Sequence, residues 1–186
     1  RHRDERHLRL GVDRLDEATR HVLQIASVIG RSFYHRILAD VVGPVEALDA
    51  ELAQLKDKQL IVERRSRGTA AVRRRTLHAE LAYLFAHALA QEAVYESLLQ
   101  RSRKELHRRV AGSIETVFAD RLVDFCAMLA YHYSRAEELE KAEEYLFKAG
   151  EEAARSAASS EALTFFRDAS QLYFRMGDET RAREEK

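Results

Sequence analysis

The chain has little with which to staple or break itself. Its 186 residues hold one cysteine, one proline and seven glycines. A single thiol, Cys126, excludes an intrachain disulfide and accords with a reducing, cytoplasmic setting. Few breakers among many Ala, Leu, Glu and Arg favour a mostly helical protein. No apolar run approaches the roughly 18–20 residues that cross a bilayer, so no membrane partner is expected. The first ten residues, RHRDERHLRL, are charged where a secretory leader would be apolar. An initiator Met is also lacking, and a segment of a longer protein is expected.

Patterns that carry chemistry are missing as well. There is no G-x-x-x-x-G-K-[ST] phosphate loop, and without one the chain has no cradle for a nucleotide of its own. The eight histidines form no H-E-x-x-H pair. His78 and His87 flank a predicted strand with no Cys or carboxylate cluster to join them, short of the roughly four ligands zinc takes. His132 stands between two tyrosines on a predicted helix, as a packed or solvent-facing ring. Cys126 has no base at helical spacing and is expected as a buried structural thiol. The Glu pairs at 137–138, 143–144 and 151–152 suit a solvated helix face. No catalytic residue, metal site or resident cofactor is expected, and the chain by itself is not expected to be an enzyme.

What is present is a large apolar fraction, 46%, beside 33% charged residues. The formal net charge is zero but unevenly placed. Residues 1–110 carry 21 Lys+Arg against 15 Asp+Glu, and residues 111–186 carry 10 against 16. This asymmetry suits two solvated surfaces of opposite sign, or two modules in different surroundings.

Along the chain, residues 1–13 show no period and are expected as a tail or linker. Asp16 can cap a helix carrying Val22, Leu23, Ala26 and Ile29, which Gly30 ends. A short helix is expected from about 33 to 42, with Phe33, Ile37, Leu38 and Val41 on one face. After Gly43, Pro44 suits the first turn of a third helix bearing Val45, Leu48, Leu52 and Leu55. LIVERR (60–65) and LAYLFAH (81–87) alternate as strands, joined around Gly68 by an arginine-rich connection. Three helices and then a β-hairpin is the order of a winged helix, expected over 14–87. A long connecting helix is expected over 88–118, with a bend near 100–102. Helices at about 120–134, 139–156 and 159–176 would form an antiparallel stack over 119–177, ended by Gly177 and followed by a tail, 178–186.

Within that last region two sets of positions repeat. Ala130, Tyr133, Ala142, Leu146 and Ala149 carry the small and bulky residues of a tetratricopeptide helix pair. Gly150, Ala153, Ala162, Phe166 and Ala169 carry them again twenty residues later. Small residues would let helices approach closely, and the Leu or aromatic would fill the gap between them.

Three stretches, RLDEATRHVLQIASVIGRSF, YLFAHALAQEAVYESLLQRSRKELHRRVA and LAYHYSRAEELEKAEEYLFKAGEEA, resemble the region after the ATPase core in bacterial signal-transduction ATPases of the STAND class. The resemblance spans about residues 12–176 and is most specific from Phe85 to Leu106. Such proteins often carry an adenylate or guanylate cyclase domain, or a DNA-binding domain, elsewhere in the chain. The resemblance implies a winged helix packed on an upstream ATPase core that binds ATP or ADP with Mg. Tetratricopeptide repeats that meet a protein partner or small ligand would follow it. It also gives His87 a role. In related ATPases a Met-His-Asp signature ends the winged helix, and its histidine touches the β-phosphate of ADP. His87 occupies that place here, with Ala88 where the Asp would be. The other reading of His87 is a side chain hydrogen-bonded at a hairpin corner.

Nucleic acid is the rival partner. Arg64, Arg65, Arg67, Arg73, Arg74 and Arg75 lie within twelve residues and could meet a phosphate backbone. Yet the third helix, which would enter the major groove, carries Glu46, Asp49, Glu51 and Asp57. The expectation is therefore a non-catalytic regulatory module, its arginines a solvated wing or a contact to the ATPase core. A DNA-binding transcriptional regulator is the alternative.

Overall fold

A computed structural model describes residues 15–43, 48–66 and 80–184. The expected tail at 1–13, Pro44 and the connection around Gly68 lie outside them. The protein is mostly helical with one small antiparallel sheet. It divides into two compact units, with the boundary between Arg103 and Lys104.

The first unit begins with α1 (Glu17–Ile29). Asp16 caps it: one carboxylate oxygen accepts the Thr19 N–H at 2.9 Å and the other accepts the Thr19 hydroxyl. The apolar stripe Val22, Leu23, Ile25, Ala26 and Ile29 is buried. At Gly30 the chain leaves the helix with φ 141°, a conformation costly for any residue with a Cβ. It then runs into β1 (Ser32–Tyr34), α2 (His35–Val42) and α3 (Leu48–Asp57). The sheet is completed by β2 (Ile61–Ser66) and β3 (Glu80–Phe85).

Strand β3 is central, in the order β1-β3-β2, with Phe33 opposite Tyr83 and Val62 opposite Leu84. The expected two-stranded hairpin thus has a third member. Residues 32–34 pair with β3, so Phe33 enters the core from the sheet rather than from a helix beginning at 33. It is buried against Tyr83 and Phe85, with ring centroids 5.6 and 5.8 Å away. Fully burying side chains such as Phe33, Ile37, Leu38, Leu52, Leu55 and Phe85 is worth about 1.5–3 kcal/mol each.

The helix expected over 88–118, with a bend near 100–102, is two helices, α4 (Ala88–Glu96) and α5 (Gln100–Val117), parted at 97–99. The break has a local cause. Ser97 donates its hydroxyl to the Val94 carbonyl at 2.6 Å, a side-chain bond that competes with continued helix. Arg103 then donates to the Leu98 and Glu96 carbonyls, both at 2.8 Å. Its guanidinium also lies 4.7 Å from the Tyr95 ring centroid. These bonds serve carbonyls that the end of α4 leaves open.

In the second unit α5 leads into a 3₁₀ segment, Ala119–Phe125, broken at Arg121. There the Phe118 and Phe125 rings stack 4.3 Å apart, and Arg121 lies 4.6 Å from the Phe118 centroid. This closure delays the helix expected from 120, so α6 spans Cys126–Arg135. Two more helices follow, α7 (Leu139–Arg155) and α8 (Ser159–Glu184). Helix α6 packs on α7, and α7 on α8. Gly177 does not end the last helix, which continues to Glu184. One glycine in a helix interior costs only about 1 kcal/mol, and the strong helix formers around it carry the helix through.

The two turns of this stack are copies. After α6, Glu137 takes φ 61°, its N–H bonds to Ser134 O, and the Glu138 N–H bonds to Tyr133 O. After α7, Ala157 takes φ 60°, its N–H bonds to Ala154 O, and the Ala158 N–H bonds to Ala153 O. Each is a Schellman closure, and the second lies twenty residues after the first at every position. Gln59, φ 57°, closes α3 in the same way with bonds to Lys56 O and, through Leu60, to Leu55 O. All three left-handed positions lack glycine.

Candidate functional site

His87 stands where the sheet becomes α4. It is the N-cap residue, with φ −127° and ψ 129°, and its ring makes no capping bond. Its carbonyl accepts the Ala90 and Gln91 N–H groups at 3.1 and 3.4 Å. Three further bonds hold the corner. The Phe85 N–H donates to Arg31 O at 2.9 Å, the Ala86 N–H donates to Leu60 O at 3.0 Å, and Gln91 Nε2 donates to Ser27 O at 2.7 Å. Phe85 is buried and His87 exposed. The backbone of the corner is thus pinned to the residue before β1 and to the loop before β2, the Gln91 side chain ties α4 to α1, and the imidazole is exposed. A ring N–H so placed can donate to an anion, beside helix N–H groups that also favour negative charge. The bond at the hairpin corner expected as its alternative role is made by the backbone.

Of the arginines, Arg64 is exposed on β2, opposite Ala82, and Arg65 lies opposite Leu81. Arg67, Arg73, Arg74 and Arg75 lie outside the described residues. The neighbouring surface is mixed in sign. Lys56 and Glu63 pair at 3.3 Å, and His35 and Asp49 lie 3.5 Å apart. Burial, then the Glu63 and Asp49 carboxylates, pushes the Tyr83 phenol up. The acidic face expected on α3 is smaller than its sequence implies. Asp49 and Asp57 are exposed, but Glu51 is buried, and its Oε2 has no hydrogen-bond partner among the described residues. Glu46 lies outside them.

The second unit gathers two polar clusters in its interior. In one, His107 of α5 and His132 of α6, both 0% exposed, meet with their Nδ1 atoms 2.8 Å apart. The Tyr131 ring stands edge-on to both. In the other, the Tyr133 and Tyr145 rings stack 5.7 Å apart. The Tyr145 hydroxyl donates to Glu115 at 2.7 Å, and Lys141 donates to the Tyr133 hydroxyl at 2.9 Å. Burial first, and then the Glu115 carboxylate, pushes both phenols well above the usual range. His132 is packed, one of the two placements its sequence suggested. His107 was legible only as one of the residues flanking the buried Leu106–Val110–Ile114 stripe.

Cys126 is buried, its thiol pushed up chiefly by desolvation, and it donates to the Leu122 carbonyl. Among the described residues no three His, Cys, Asp or Glu side chains gather as a metal would need. No described helix is long and apolar enough to cross a membrane. Comparison with known families, characterised proteins and solved structures returns no match.

Proposed function

We propose that the chain is a regulatory coupling module of a STAND-class signal-transduction ATPase. In this reading the first unit is a winged helix that packs on a nucleotide-binding core. The second is a tetratricopeptide-like stack that meets a protein partner or small ligand. The module does no chemistry itself. It answers ADP or ATP, with Mg, held by the core, in a cytoplasmic setting.

One observation carries the reading. The element order α1-β1-α2-α3-β2-β3, with β3 paired between β1 and β2, supports the winged-helix reading, and it ends on an exposed histidine at a helix start. That is the place at which the resemblance puts a residue touching the ADP β-phosphate. The turn repeated after twenty residues supports the second half of the reading, because each copy returns the chain to pack small residues on the preceding helix.

DNA binding is the competing outcome. On the coupling reading, a labelled duplex shows no tight anisotropy change at physiological salt, and ADP shows no heat of binding to the chain alone. Tight duplex binding at that salt, weakened by Arg73→Ala with Arg74→Ala, would transfer the function to nucleic acid. Measurable ATP hydrolysis by the chain would overturn the module reading altogether.

A further inference from the structure

We propose that the His107–His132 pair is a proton-operated latch in the second unit, and that uptake of a second proton parts α5 from α6. The inference rests on this pair alone and stands independently of the coupling role.

A contact of 2.8 Å between two Nδ1 atoms is a hydrogen bond, so one proton lies between them, on one ring or the other. A neutral pair satisfies this with one Nδ1–H and one Nδ1 lone pair. A singly charged pair satisfies it too, the donor ring then carrying its second proton on Nε2. A doubly charged pair does not. Both Nδ1 atoms would carry protons aimed at each other, and two like charges would face across one hydrogen-bond length at a site with no exposed surface. The folded pair therefore holds at most one excess proton.

Charged groups on three elements stand around the pair. On α5, Lys104 and Arg108 flank His107. They are matched by Glu137 and Glu138 of the turn after α6, and Arg108 also by Glu105. On α6, Tyr131 and Arg135 flank His132, with Arg135 over the Tyr131 ring. On α7, Lys141 is engaged with Tyr133 and Glu115. The apolar neighbours one turn away, Val110 and Ala111 on α5, Leu129 on α6 and Ala136 just after it, are buried.

The sign follows. An unfolded histidine takes up a proton below about pH 6.5, so the unfolded chain gains about two protons on these residues while the folded pair gains one or none. Stability from the pair is complete above that pH and falls as pH drops below it. The constant for opening the α5–α6 seam should rise by at least about tenfold per pH unit, and at most about a hundredfold, once the pH is well under 6.5.

The test uses the full chain. Hydrogen exchange of peptides from α5 and α6, corrected for intrinsic rates, is followed from pH 7.5 to 5, with α1 peptides as the internal control. In parallel, ¹⁵N signals of the imidazoles report the protonation of each ring. The expected result is acid-driven opening confined to α5 and α6, with one ring still neutral until opening begins. His132→Asn keeps an oxygen acceptor for a protonated His107 and is expected to flatten the pH response. If that variant does not fold, the wild-type imidazole signals decide. Both rings becoming imidazolium while α5 and α6 stay protected would overturn the latch. So would opening that does not depend on pH, or that is equal in α1.

Discussion

Gly150 of α7 lies under the ring of Phe166 of α8: a Cβ at residue 150 would stand 2.7 Å from Phe166 Cε1. The ring fills the space that the missing side chain leaves, and the Phe147 ring lies tilted beside it with centroids 5.3 Å apart. Gly150→Ala should gain about 1 kcal/mol of helix propensity and lose more to the clash, since overpacking costs about 1–3 kcal/mol. The expected net effect is destabilisation on the order of 1 kcal/mol in urea unfolding. Phe166→Leu should make the same alanine substitution neutral or stabilising, a coupling that a double-mutant cycle reads directly.

The left-handed turn residues give a prediction of opposite sign. An L-residue in that conformation costs about 1–2 kcal/mol, and glycine returns part of it as unfolded-state entropy. Ala157→Gly should therefore stabilise the protein by about 0.5–1 kcal/mol. Glu137→Gly should gain less, because it also removes the ion pair to Lys104. The check is the urea midpoint at constant m-value.

These two positions also show what sequence could reveal. The twenty-residue offset was legible because small residues recur at helical spacing, and the turns then repeat bond for bond. Asp16 and Gly30 were legible because caps are local chemistry. The strand 32–34 was not: three residues are too few to show alternation, and Phe33, Ile37, Leu38 and Val41 also fit a helix stripe. The break at 97–99 falls just before the bend expected near 100–102, and its position is set by local bonds from Ser97 and Arg103 to nearby carbonyls, which leave no periodic trace. Glu51 and His107 were hidden because polar residues beside an apolar stripe look solvated until the opposing helix is in place. His87 was located by its corner, and the structure adds that its ring is exposed.

The tyrosine cluster predicts alkaline behaviour. Folding holds Tyr133 and Tyr145 as neutral phenols at pH values where the unfolded chain ionises them, so their contribution is intact below about pH 10 and is lost as pH rises beyond it. Absorbance at about 295 nm should show them, with Tyr83, ionising after the other tyrosines and together with loss of helix. Tyr145→Phe should remove the bond to Glu115 at a cost of about 1–2 kcal/mol. Ionisation of all seven tyrosines in one step with the helix intact would count against this packing.

The most direct test of the proposed coupling role is ADP release from a protein that carries this chain together with the nucleotide-binding core proposed for it, with and without His87→Ala. A charged or neutral imidazole donating to a phosphate oxygen should contribute about 1.4 kcal/mol, so the substitution should speed ADP release by about tenfold while circular dichroism stays unchanged. Equal release rates from the two proteins, both folded, would contradict it.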